Sequence, residues 1–147
     1  MPDMGLIQMT RYICLCMAVL TADIAIAEET RAPDDIPNTT KVDAEGLINA
    51  VSKHDRLVLI DSRIAMDRKQ GYIEGAISLP DTETSCESLA KLIPELGQAA
   101  LFYCNGVKCG RSVKAIYVAQ KCGYTNLYWF RGGFEEWTEK GYPFLKE

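Results

Sequence analysis

Short apolar runs alternate with stretches of helical periodicity along most of this 147-residue chain. Asp43 is placed to cap a helix running to about residue 53, with Leu47, Ile48 and Val51 on one face. Leu57-Val58-Leu59-Ile60 is an unbroken apolar run of strand length, suited to a sheet covered on both faces, and it ends at the polar Asp61-Ser62-Arg63. A short helical piece at 65–69 leads into the turn-rich Gly71-Tyr72-Ile73-Glu74-Gly75, and 76–79 reads as a second short strand stopped by Pro80. Thr84 or Ser85 can cap a helix holding Leu89, Leu92 and Ile93, which Pro94 ends or kinks. Residues 99–103 form a third strand, 111–121 a helix stopped by Gly123, and 126–130 the last strand. Gly132-Gly133 permits a tight turn into Phe134-Glu135-Glu136-Trp137, and Gly141-Tyr142-Pro143 closes the domain. Strands that alternate with helices predict an α/β fold, a mostly parallel central sheet with helices on both faces. Ligands of such sheets bind at the C-terminal strand ends, where Asp61 and Cys104 fall.

The strand at 99–103 stops abruptly at Cys104, and Asn105-Gly106-Val107-Lys108-Cys109-Gly110 joins it to the helix opened by Arg111-Ser112. A helix start carries amides without intrahelical partners and the positive end of the helix dipole, so it favours an anion. A cysteine held there is expected to have a lowered pKa and to act as a thiolate nucleophile. Gly106 and Gly110 are expected to supply backbone conformations that a tight anion cradle needs. Lys108 adds positive potential over the loop. For Cys109 two readings stand: a partner that closes a disulfide with Cys104, or a small apolar residue packed behind the loop.

Elsewhere the chemistry is bland. Cys86 and Cys122 sit near no expected anion site and read as structural. His54, the only histidine, lies in a polar turn, which argues against a His-based acid, base or metal site; no metal or organic cofactor is expected. Trp129, Phe130, Phe134 and Trp137 read as packing, and Glu135-Glu136 as a solvated helix surface. With 48% hydrophobic and 24% charged residues the composition is that of a globular protein, and a formal charge of −4 with no basic run gives no case for nucleic acid.

The N-terminus is set apart. Arg11 precedes the apolar Tyr12-Ile13-Cys14-Leu15-Cys16-Met17-Ala18-Val19-Leu20, and an Ala-x-Ala site follows at Ala25–Ala27. A basic flank, a short apolar core and small residues at the end describe a secretory signal peptide over 1–27, with a linker at 28–40. The apolar run ends at Asp23, short of the ~20 residues of a membrane-spanning helix, although a retained N-terminal membrane anchor is the alternative. Cleavage would remove one Arg and two Asp, changing the formal charge from −4 to −3, and would leave Cys86, Cys104, Cys109 and Cys122. Four cysteines are too few for a disulfide scaffold. Export would place the loop thiols in an oxidising periplasmic or extracellular space, with no membrane attachment once the leader is gone.

From 41 to 147 the residues resemble the rhodanese family of sulfurtransferases. Leu57-Val58-Leu59-Ile60-Asp61-Ser62-Arg63 is similar to its strand ending in Asp-x-Arg, and Gly71-Tyr72-Ile73-Glu74-Gly75-Ala76-Ile77 to its Gly-His-Ile-x-Gly-Ala-x signature, with Tyr72 in place of His. Tyr103-Cys104 with Gly110-Arg111-Ser112 resembles the active-site loop, and Trp129-Phe130-Arg131-Gly132-Gly133-Phe134 with Trp137 the C-terminal signature. The resemblance implies a sulfurtransferase in which Cys104 carries sulfane sulfur as a persulfide and passes it to a thiophilic acceptor. It implies that the amides from Asn105 through Arg111 (Gly106, Val107, Lys108, Cys109 and Gly110 among them) cradle the anion, that Arg111 orients the loop or meets the substrate, and that Asp61, Arg63 and Ser112 support the site. The implied partners are a small donor such as thiosulfate or a persulfide, and a thiol-containing acceptor, small or protein. Cys104 to Arg111 is Cys-x6-Arg, longer than the usual Cys-x4-Arg and than the Cys-x5-Arg of related phosphatases and arsenate reductases, so those two activities fit less well. The loop looks like a less common subgroup, Cys-x-Gly-x-x-Cys-x-Arg-Ser. A non-enzymatic sulfur carrier or dithiol redox protein using Cys104 and Cys109 is the alternative function.

Overall fold

Five short strands and five helices alternate along residues 31–147, which the computed structural model describes. The expected leader at 1–27, with Cys14 and Cys16, lies outside the described residues. In chain order the elements are β1 (Thr40–Val42), α1 (Ala44–Lys53), β2 (Val58–Asp61), α2 (Ala65–Gln70), β3 (Ile77–Ser78), α3 (Cys86–Leu92), β4 (Ala100–Tyr103), α4 (Arg111–Lys121), β5 (Leu127–Phe130) and α5 (Gly133–Glu139). All pairings are parallel and the sheet order is β1-β5-β4-β2-β3. β4 is central and buried at every position, as an apolar run flanked by strands and covered on both faces must be.

Alternation along the strands sorts the core into two layers. Ile60, Phe102 and Trp129 pack with Leu89 of α3 and with Val113, Ile116 and Ala119 of α4. Leu59, Leu101, Tyr103 and Phe130 face the other way, onto Leu47 and Ala50 of α1 and Trp137 of α5. The helix ends follow local chemistry. Asp43 accepts from the Gly46 amide at 2.8 Å, Ser85 and Ser88 form a reciprocal capping box, and Gly123 leaves α4 at a φ of 95°.

One expectation needs correction. The segment read as a linker is docked on the domain from Arg31 onward: Ala32 and Ile36 are buried against the α3/α4 layer, and Thr40 already belongs to β1. Arg131 holds this segment by donating to the Pro33 carbonyl at 2.7 Å and pairing with Asp34 at 3.0 Å. Cys86 and Cys122, read as structural, are bonded to each other. Cys86 lies at the start of α3 and Cys122 at the C-cap of α4, with Cα atoms 5.5 Å apart. Cys104 is bonded to Cys109. Four cysteines do not make a scaffold, but here they brace one helix pair and close one loop.

Candidate active site

Cys104 follows β4 directly at the C-terminal edge of the sheet, with Asp61 of β2 alongside Tyr103 in the register. The side chain is 2% exposed, and its sulfur is bonded to Cys109 across a turn in which the Cys109 amide donates to the Gly106 carbonyl at 2.9 Å. Of the two readings for Cys109, the geometry is the disulfide. The expected free thiolate is therefore masked in this state, and the Cys109 amide is committed to the turn and not to an anion.

The loop is held from outside. The amides of Phe134 and Glu135, in the first turn of α5, donate to the carbonyls of Cys104 and Asn105 at 2.9 and 2.7 Å. The Ala32 amide donates to the Val107 carbonyl at 2.9 Å. In a trans peptide the N–H points opposite to the C=O. With those carbonyls turned outward, the amides of Asn105 and Gly106 are aimed away from α5, and that of Lys108 away from the N-terminal segment. Gly110 is the N-cap of α4 and has no side chain with which to cap its first amides.

The loop glycines do not supply the special backbone conformations expected of them. Neither Gly106 nor Gly110 adopts a positive φ. A β-carbon at Gly106 would meet only the Glu135 carboxylate, the end of a flexible exposed side chain that can swing aside. Gly133 is the residue with the conformational demand: its φ is +60°, and a β-carbon would strike the Cys104 carbonyl oxygen and come within 2.8 Å of the Asn105 carbonyl oxygen. Glu136 is also not merely solvated, since its Oε1 accepts from the Ala44 amide at 2.9 Å, whereas Glu135 is exposed.

Behind the loop lies a buried ionic knot. Arg63 donates to Asp61 through Nε at 2.9 Å and Nη2 at 2.7 Å, and also to the Gly71 carbonyl at 2.8 Å, with its guanidinium 4.4 Å from the Phe134 ring centroid. Tyr103 donates its hydroxyl to Asp61 at 2.8 Å and accepts from the Ile73 amide. Burial works against the Arg63 charge, but the hydrogen bonds and charge of Asp61 more than offset this and hold its pKa above the ordinary value. Burial first, and the Asp61 charge second, push the Tyr103 phenol far up, so it remains a donor. Arg63 also lies 3.5 Å from the Asn105 side-chain oxygen, and Asn105 donates to Asp67 at 3.0 Å. Asp61 and Arg63 thus support the loop through Asn105. Tyr72, standing where the resemblance has His, lies over the Arg68 guanidinium at 3.7 Å.

On the far side of the loop Arg111 pairs with Asp81 at 2.7 Å, and Lys114 lies 3.9 Å from the same carboxylate. Lys108, Cys109, Gly110, Arg111 and Lys114 line a pocket of about 370 Å³. Ser112 does not open onto it; its buried hydroxyl accepts from the Trp129 indole at 3.1 Å and ties α4 to β5. His54 contacts the Tyr128 hydroxyl at 2.9 Å. Asp67 and Asp81 were not singled out in the sequence, and Gly133 only as half of the Gly132-Gly133 turn and signature.

With this geometry in view, the comparisons are consistent. The chain belongs to the rhodanese-like domain family, whose model matches residues 43–140. Among curated proteins, none matches it in sequence. Solved structures share the fold. A protein from Bacillus halodurans is 22% identical over 74% of this chain and 77% of its own, with a TM-score of 0.63. The polysulfide-sulfur transferase homodimer of Wolinella succinogenes is 19% identical over 75% and 80%, with a TM-score of 0.61. The thiosulfate sulfurtransferase of Pseudomonas aeruginosa is 24% identical over 74% of this chain and 20% of that one, with a TM-score of 0.58. The fold neighbours therefore include sulfurtransferases.

Proposed function

We propose that the protein is a sulfurtransferase of the two-cysteine-loop kind, in which reduced Cys104 takes a sulfane sulfur from thiosulfate or a persulfide and hands it to a thiol acceptor. The observation that carries this reading is the outward binding of the Cys104, Asn105 and Val107 carbonyls, which turns the intervening amides away from their anchors. Donors fixed in advance stabilise a thiolate, a persulfide or a departing sulfite without reorganising when charge arrives. Thiosulfate would lose its outer sulfur to the Cys104 thiolate and leave as sulfite. Attack by an acceptor thiolate on the outer persulfide sulfur would then return Cys104. The test is sulfur loading of the reduced protein by thiosulfate, followed by transfer to cyanide or a thiol; Cys104→Ala should lose both, and retained transfer would overturn the assignment.

One observation favours a second reading. The Cys104–Cys109 disulfide is the state expected of a dithiol redox protein, and wild-type that exchanges disulfides but never loads sulfur would decide for it. Two disulfides in one small domain also support maturation in an oxidising compartment, and so a cleaved signal peptide ending at Ala27 and a periplasmic or secreted location. N-terminal sequencing of the exported protein tests that, and an intact Met1 would defeat it.

A further inference from the structure

The docked segment at 31–37 lies ahead of residues 43–140, the part of the chain that matches the family, yet it reaches the active-site loop at its middle. The Ala32 amide donates to the Val107 carbonyl at 2.9 Å, and Val107 lies inside the ring that the Cys104–Cys109 bond closes. The segment is firmly seated. Ala32 and Ile36 are each 4% exposed, packed with residues of α3 and α4. Arg131, just after β5, donates to the Pro33 carbonyl at 2.7 Å and to the Ala32 carbonyl at 3.3 Å. Gln120 of α4 donates to the Pro37 carbonyl at 2.6 Å, and Lys41 to the Asp34 carbonyl at 2.6 Å. The place of the Ala32 amide is therefore set by the body of the domain and not by the loop it holds. A carbonyl oxygen carries partial negative charge, so one turned toward a sulfur anion opposes that anion.

We propose that residues 31–37 are a positioning strap for the loop, anchored by Arg131, whose Ala32 amide keeps the Val107 carbonyl turned away from Cys104 and so favours an anionic sulfur there once the disulfide is open. Ala32 and Arg131 are positioning residues that act through Val107 and not on the sulfur itself. The strap does its work before charge arrives, by fixing the direction of a dipole that a loose loop would leave free to turn inward. The inference deepens the preceding reading: it rests on that reading for the use made of the anion, but not for the strap's hold on the loop.

Ala32→Pro deletes the N–H that holds Val107, and Arg131→Met loosens the same strap from its other side. Wild-type protein and each variant, with the Cys104–Cys109 bond reduced, are compared by three measurements. These are the pH profile of iodoacetamide alkylation at Cys104, amide hydrogen exchange over 105–110, and single-turnover sulfur loading from thiosulfate. Trypsin cuts after Lys108 and so separates the two cysteines for mass spectrometry. In both variants the alkylation profile should move up by about one pH unit, and the loop amides should exchange faster. The saturating loading rate should fall about tenfold, with the half-saturating thiosulfate concentration little changed. Ala32→Gly, which keeps the N–H, should recover most of the loss seen with Ala32→Pro. A strap that only braces the fold would lower the urea midpoint and leave the alkylation profile in place, and that result overturns the proposal. Wild-type loop exchange in Ala32→Pro overturns it as well. Should the profile and the exchange move as expected while wild-type protein loads no sulfur, the strap stands and the sulfurtransferase reading alone is rejected.

Discussion

The Phe134 amide donates to the Cys104 carbonyl at 2.9 Å, so the first turn of α5 sets the peptide plane that follows Cys104. That contact exists because Gly133, one residue earlier, has no β-carbon and a φ of +60°. Gly133→Ala should therefore cost about 1–3 kcal/mol of stability and slow sulfur loading of Cys104 on the order of tenfold or more. Urea unfolding and single-turnover loading measure the two effects; a variant as stable and as fast as wild-type would detach α5 from the loop.

Tyr103 serves Asp61 and the Ile73 amide at once. Tyr103→Phe leaves the Ile73 amide without its acceptor and takes one donor from Asp61, which keeps Arg63, and should destabilise by about 1–3 kcal/mol. Its pH dependence has a definite sign. The folded pKa is raised by burial and by Asp61, so the unfolded chain ionises first, near the ordinary value of 10.0. The stability is complete below that pH and is lost above it. Chemical denaturation between pH 8 and pH 11 (a range set by that value) should show a shallower alkaline decline in Tyr103→Phe. A decline as steep as wild-type's would assign the effect to Tyr124 and Tyr142, whose phenols are raised as well.

The Cys86–Cys122 bridge closes a separation of 36 residues between two helices. Removing a cross-link of that span should cost about 3–4 kcal/mol and lower Tm on the order of 10 °C. The Cys86→Ala/Cys122→Ala double variant should still load sulfur at Cys104 below its melting point. Calorimetry beside the loading assay separates bracing from chemistry; loss of loading in the folded variant would tie this bridge to the site.

Ser62 follows β2 with its hydroxyl buried and unbonded, while its amide donates to the Tyr103 carbonyl. A buried hydroxyl without a partner is a cost, so Ser62→Ala in the oxidised protein should be neutral or should stabilise by about 1 kcal/mol. A urea midpoint that falls instead would reveal a partner for the hydroxyl.

Much of this architecture was legible because it is local. Asp43 and Ser85 announce their helices by capping chemistry, and Cys104 announces itself by ending an apolar strand before a helix. What escaped depends on packing between distant segments. The Cys86–Cys122 pairing follows only once α3 and α4 lie side by side, and Asp81 becomes the partner of Arg111 only when the end of β3 meets the start of α4. The loop glycines were noted for flexibility, yet neither takes a positive φ, and the conformational demand falls on Gly133 in α5. The docking of 31–40 was hidden because Ala32 and Ile36 are two lone apolar residues in polar surroundings, and β1 has no partner nearby in sequence.

That last pairing has a consequence for how the chain is made. β1 lies at the sheet edge and hydrogen-bonds only to β5, the final strand to leave a ribosome or a translocation channel. Until residues 127–130 emerge, β1 has no strand to pair with, although Ala32 can already meet the Val107 carbonyl. Closure of the sheet edge therefore waits for β5, and the first strand of the domain is the last to find its place in the sheet.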